Sequence, residues 1–148
     1  TIIICESDKT RSELMERALK LFKNLNMKII NMNPLDHDKN IAYVSHLSHI
    51  SSFMLAKTVL DKKLLRENIF DLAGSGFEST VRLAKSSPET WGSIFNDNKS
   101  NIIQALNEYI DNLNNIKSLI EKSKIDLIFD ELNKINLIRD ILSGIKVK

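Results

Sequence analysis

Glycine and proline are scarce in this chain: four Gly and two Pro punctuate 148 residues. An all-β sandwich of this length needs turn residues about every 8–12 positions, so the chain must instead be built from long uninterrupted elements, chiefly helices. With 43% hydrophobic and 27% charged residues it has enough apolar surface for a core and is unlike a disordered segment. The formal net charge of +2 provides no field that would gather nucleic acid or anionic lipid. Cys5 is the sole cysteine, which excludes an intrachain disulfide and fits a reducing compartment. Asn40 to Ala56 lacks Asp, Glu, Lys and Arg, yet two His and four Ser interrupt it and it falls short of the roughly 20 apolar residues of a membrane span. Thr1 to Cys5 lacks the features of a signal peptide. A cytoplasmic protein that does not enter membranes is the expectation.

The run Ile2–Ile4 reads as a strand buried on both faces. Thr10 with Glu13 forms a capping-box pattern, and Leu14, Ala18, Leu21 and Leu25 then recur at helical spacing until about Asn26. Met27 to Met32 reads as a second strand, stopped by Asn33-Pro34. One βαβ unit cannot cover its own apolar faces and edges, so residues 1–33 are expected to be the tail of a larger α/β domain. From Pro34 onward the pattern is helical, and residues 34–148 are expected to be almost wholly α.

Asn33 and Pro34 suit the cap and first turn of a helix running to about Asp61. On it Ala42, Ser45, His49, Ser52 and Ala56 form a stripe of small and polar groups, while Tyr43, Leu47, Ile50 and Met54 form an apolar one. Such a small-residue stripe serves either a close helix approach or the lining of a ligand site. Gly74-Ser75-Gly76 precedes a helical run through Arg82 and Ala84, and Ser87-Pro88-Glu89 opens a short helix bearing Trp91, Ile94 and Phe95. Ile102, Leu106, Tyr109, Leu113, Ile116 and Ile120 then make one seam. After a break near Ser123, Ile125, Ile128, Leu132, Ile135, Ile138, Leu142 and Ile145 make another. Two seams with so short a connection predict an antiparallel hairpin with apolar residues left over for a second copy of the chain.

Three polar clusters are candidates for chemistry. His37, His46 and His49 lack the spacing and the additional ligand that a metal site requires, so a histidine that hydrogen-bonds an oxygen ligand or sits satisfied in the interior is favoured. Ser75 and Gly76 lie at a helix start whose N–H groups suit a carboxylate or phosphate, and Arg82 can close such a site bidentately. The glycines match neither the dinucleotide nor the P-loop fingerprint. Trp91, the only tryptophan, is either core or pocket wall.

The order and spacing of His37-Asp38, Ser45-His46-Leu47-Ser48-His49, Gly74-Ser75-Gly76-Phe77, Thr80-x-Arg82-x-Ala84 and Ser87-Pro88-Glu89-Thr90-Trp91 closely resembles the prephenate dehydrogenases. The resemblance runs over the whole chain. It implies that residues 1–33 end an NAD(P)-binding domain and that 34–148 form the helical substrate-binding and dimerisation domain. It further implies oxidative decarboxylation of prephenate to 4-hydroxyphenylpyruvate in tyrosine biosynthesis, with NAD or NADP as cofactor. By it Ser45, His49, Ser75, Gly76, Arg82 and Trp91 line the prephenate site, Arg82 holding a carboxylate. The dinucleotide loop and the catalytic histidine of that family belong to the upstream domain, so these residues alone are not expected to catalyse. Two positions depart from the pattern: Ser48 stands where proline is common, and Glu78 where a basic residue is frequent. A relative acting on arogenate, and a stand-alone helical dimerisation module without enzymatic activity, are the competing readings.

Overall fold

The computed structural model describes residues 1–63 and 68–144, and the expectation for Ile145 lies outside them. Strand β1 (Ile2–Ile4) pairs in parallel with β2 (Ile29–Asn31), Ile2 opposite Ile29, across the helix α1 (Ser12–Asn24). The expected βαβ unit is therefore present, with two differences. Ile3 is 38% exposed, because a two-stranded sheet has nothing to lay on its second face. The capping box does not form either. A tight turn over Ser7–Lys9 takes the Thr10 N–H to the Ser7 carbonyl at 3.2 Å, so α1 starts at Ser12 behind Arg11 with no side-chain cap. Its end is sharper: Asn26, at φ 53°, closes the helix with N–H bonds from Asn26 to Lys23 and from Met27 to Phe22, both 2.9 Å. That pair of bonds is the arrangement by which a left-handed residue satisfies the last carbonyls of a helix.

Helix α2 (Pro34–Ile41) opens as expected, Pro34 in its first turn and the Asn33 side chain accepting the Asp36 N–H at 2.8 Å. It runs through one wide π turn, Ala42–His46, into α3 (Leu47–Lys63). α4 (Ser75–Val81) tightens into a 3-10 turn over Arg82–Lys85, so the helix expected to run through Ala84 stops short of Arg82. α5 (Pro88–Asp97) is capped by Ser87, whose hydroxyl accepts the Thr90 N–H at 3.3 Å. α6 (Lys99–Glu121) ends at Ser123, φ 51°, in the same arrangement that closes α1, Lys124 N–H reaching the Leu119 carbonyl at 3.0 Å. The last expected helix is two pieces, α7 (Ile125–Ile135) and α8 (Ile138–Ser143). The chain turns at Asn136–Leu137, where Arg139 N–H bonds the Asn136 carbonyl at 3.0 Å instead of the carbonyl four residues back.

The chain divides into two compact units, Thr1–Ala105 and Leu106–Lys148, with the boundary inside α6. In the first, Ala42, Ile102 and Ala105 form the buried core, with Tyr43, Leu47, Ile50 and Phe95 packed against it. In the second, Leu113, Ile120, Ile125, Leu127, Phe129, Leu132, Ile135, Leu137, Ile138, Ile141 and Leu142 are all exposed among the described residues. No helix of the described residues is long and apolar enough to cross a membrane.

The Asn33 cap starts the helical part of the chain and is made by one side chain. Asn33→Ala should cost about 1 kcal/mol, the usual value of an N-cap. A thermal melt should show it as a Tm fall of about 2–4 °C.

Candidate functional site

The π turn carries Ser45 and ends at His46, and it changes which of these residues face inward. A π turn holds about one residue more than an α turn, so it shifts the face that follows. Ala42 is fully buried, His46 is 8% exposed and Ser52 2%, whereas Ser45 and His49 are half-buried. The inward set is thus Ala42, His46 and Ser52, and the stripe expected from a regular helix is broken at Ser45. Ser48, which departs from the proline common at that position in the family it resembles, donates its hydroxyl to the Val44 carbonyl inside the wide turn at 3.4 Å.

His46 and His49 are held in opposite tautomers. His49 Nδ1 lies 3.0 Å from the Ser45 carbonyl, which can only accept, so Nδ1 carries the proton and Nε2 is left to accept a hydrogen bond. Its ring stacks on Trp91, with centroids 3.4 Å apart and planes 20° from parallel. His46 Nδ1 instead faces the Asn98 amide at 3.3 Å. The same Asn98 Nδ2 donates to the Asp38 carbonyl at 2.6 Å and Asn98 Oδ1 accepts from Asn101 at 2.7 Å, so the amide orientation is fixed and His46 Nδ1 is the acceptor. Burial pushes the His46 pKa below its ordinary 6.5, with Asp38 opposing and His37 and His49 adding to the shift. His46 meets the Trp91 edge at 6.0 Å, and Phe95 leans on Trp91 at 5.6 Å. His37 pairs with Asp38 at 2.9 Å. Among the described residues no group of three His, Cys, Asp or Glu is placed to hold a metal ion.

Arg82 begins the tight turn after α4, is exposed, and has no ion-pair partner among the described residues. Neither acid near it in sequence engages it. Glu89 takes the Ser87 hydroxyl at 2.7 Å, which holds its carboxyl below the usual range. The Arg82 turn is joined to α3 by the Ala84 N–H, which bonds the Ser52 hydroxyl at 3.1 Å. Ser75 and Gly76 are exposed at the start of α4. A Cβ on Gly74 or Gly76 would meet nothing within 4 Å and neither has a left-handed φ, so nothing within the chain requires glycine at these two positions.

Trp91 does line a cavity, an open apolar groove of about 690 Å³ between α3 and α5 with Ile50, Phe53, Met54, Leu60 and Phe95. Its two charged members, Lys57 and Asp61, pair with each other at 2.6 Å. Ser45, His49, Ser75, Gly76 and Arg82 are not in its lining. The expected residues thus fall into three places: Ser45, His49 and Trp91 around one ring stack, Arg82 on a turn tied to α3, and Ser75 and Gly76 at the head of α4. Sequence reading missed Ser52 and Asn98. Ser52 was visible only as a small residue in a stripe, and Asn98 carried no pattern at all.

The family model of the prephenate dehydrogenase dimerization domain matches residues 33–134. Prephenate dehydrogenase of Bacillus subtilis is 28% identical over 131 residues, covering 86% of this chain and 34% of that protein. The solved prephenate dehydrogenase of A. aeolicus, in complex with hydroxyphenyl propionate and NAD+, superposes with a TM-score of 0.82 at 28% identity over 95% of this chain and 49% of that one. Synechocystis arogenate dehydrogenase gives a TM-score of 0.78 at 25% identity, over 95% of this chain and 51% of its own. The chain therefore spans between about a third and a half of the relatives it matches.

The His46 shift has a stability consequence. A histidine kept neutral in the folded state has a lower pKa there than in the unfolded chain, so below about 6.5 the unfolded state binds more protons. Its contribution is fully present above that pH and is lost as the pH falls from there through the folded pKa. The melting temperature should drop on mild acidification, and His46→Gln should flatten that part of the profile.

Proposed function

The chain belongs to the prephenate dehydrogenase dimerization-domain family, and from that premise we propose that it is the substrate-binding and dimerising part of an NAD(P)-dependent dehydrogenase. The substrate is prephenate, oxidised and decarboxylated to 4-hydroxyphenylpyruvate on the route to tyrosine. The observation that carries this reading is the His49–Trp91 stack, with His49 Nε2 left as acceptor, together with an Arg82 that has no ion-pair partner among the described residues. A dianion that also bears a hydroxyl and a ring calls for these partners: a guanidinium for a carboxylate, neutral donors and acceptors, and an aromatic wall. Ser45 supplies a second hydrogen-bonding group one turn from His49. Ser75 and Gly76 offer backbone N–H groups at the first turn of α4, where glycine leaves room for a ligand. Glu78, exposed on the same helix, does not pair with Arg82 among the described residues.

The nicotinamide nucleotide finds no cradle here. The β1–α1–β2 unit contains no glycine, and the turn before α4 lacks the dinucleotide fingerprint. No residue of this chain is assigned to the cofactor or to proton removal from the substrate hydroxyl, and residues 1–33 are read as the end of the domain that would bind the nucleotide. By this reading the chain alone is inactive and its enzyme works in the cytoplasm.

Arogenate, which carries an amino group on the substrate side chain, is the second reading, favoured by the likeness to the Synechocystis enzyme. Steady-state kinetics of the full-length protein with prephenate and arogenate, each with NAD and NADP, test both, and absence of turnover with either substrate would leave a dimerisation module without activity. Arg82→Ala should raise KM for the substrate at least tenfold, since losing a desolvated charged contact costs about 2–5 kcal/mol. His49→Ala should cost less, a neutral hydrogen bond contributing about 1 kcal/mol. A KM within twofold of wild type in a folded Arg82→Ala protein would refute the anchor.

The exposed apolar residues of the second unit fit a homodimer. Light scattering at micromolar concentration should give about twice the 16.9 kDa of the chain, and a monomer would refute it.

A further inference from the structure

We propose that Ser52 is a positioning residue for Arg82: its buried hydroxyl accepts the Ala84 N–H and fixes the turn from which the guanidinium meets a substrate carboxylate. The inference rests on the reading of Arg82 as the anchor and adds a residue which that reading does not contain.

Ser52 is the largest fully buried side chain among the described residues, 2% exposed on α3. The other hydroxyls of this helix turn back on their own backbone: Ser48 to Val44, Ser51 to Leu47 and Thr58 to Met54. That is the usual fate of a helical hydroxyl. Ser52 differs, since its oxygen takes an N–H from another element 32 residues away, at 3.1 Å. If the position served only close approach, alanine would suffice, as it does at the equally buried Ala42 and Ala105. Ala84 and Arg82 belong to one four-residue turn, so a bond that holds the amide of one sets the backbone of the other. The turn follows a short helix and packs on α3, and the Ser52 bond is the polar contact that fixes where along α3 it sits, with Arg82 on it. A displaced guanidinium grips its carboxylate less well while leaving the reacting groups untouched, so the effect belongs in KM rather than kcat.

The test is a double-mutant cycle in the full-length protein. Ser52→Ala should raise KM for prephenate about fivefold with kcat within twofold, the scale on which residues sharing a partner couple. Ser52→Cys keeps the side-chain shape with a somewhat larger atom and replaces the oxygen by a poor acceptor; it should raise KM likewise, and a melting temperature near that of wild type in either variant guards against a folding defect. In an Arg82→Ala background, Ser52→Ala should add nothing, because the group it positions is gone. If both Ser52 variants leave KM within twofold, or if Ser52→Ala raises KM by the same factor with and without Arg82, Ser52 is only structural and the inference fails while the anchor stands. If Arg82→Ala itself leaves KM unchanged, the anchor and the inference fail together.

Discussion

The wide turn at Ala42–His46 is the constraint on which the arrangement of the first unit depends. Ala42 and His46, at the two ends of this turn, lie on the same side of the chain, so alanine meets Ile102 and Ala105 in the core while the imidazole enters the interior beside it. An imidazole there must be satisfied, and Asn98 does so while reaching the Asp38 carbonyl, which ties α2 to the residue between α5 and α6. The same turn leaves Ser45 and His49 half-buried, with the ring of His49 free to lie on Trp91. The Nδ1 partners of His46 and His49, Asn98 and the Ser45 carbonyl, both lie at this turn or are reached from it.

Much of this was legible in the sequence, and the failures have identifiable causes. The βαβ unit, the Asn33 and Ser87 caps, the break at Ser123 and the mainly helical character of the described residues after Pro34 rest on local patterns, which is where single-sequence reasoning is strong. The π turn was not legible, because hydrophobic spacing assumes a constant 3.6 residues per turn and a single wide turn leaves no mark in composition. The Thr10 capping box failed through competition: the Ser7–Lys9 turn claims the Thr10 backbone and moves the helix start to Ser12. Asn136–Leu137 interrupts an apolar pattern that continues unbroken through it. Ser52 and Asn98 were missed because their partners lie 32 and 52–60 residues away, and a single sequence does not encode such pairs.

The second unit presents a different constraint. Its helices carry apolar side chains on more than one face, and no residue from 106 to 144 is fully buried. Water penalises that surface by about 25 cal/mol for each Å² left uncovered, so a segment of this composition calls for a partner surface. A dimerization domain is what the matching family model describes, and the unmet apolar area gives a physical reason for that name. The cap at Ser123 belongs to the same economy: a serine in a left-handed conformation closes α6 within a few residues and starts α7 at Ile125, keeping the loop short and the apolar positions dense.

The polar residues divide their work in a way that bears on catalysis. A guanidinium on a carboxylate that keeps its charge throughout the reaction binds ground state and transition state alike, so it strengthens association without lowering the barrier from the bound complex. The same holds for the aromatic wall that Trp91 makes with the His49 ring. The buried histidine, His46, is shifted toward neutrality and its Nδ1 is already engaged by Asn98. Under the proposed function, Arg82, His49 and Trp91 would thus contribute uniform binding. A binding half built this way gains from rigidity. The helix from Pro34 through α3 is tied to the rest of its unit by two hydrogen bonds, through Asn98 at the π turn and through Ser52 at the Arg82 turn.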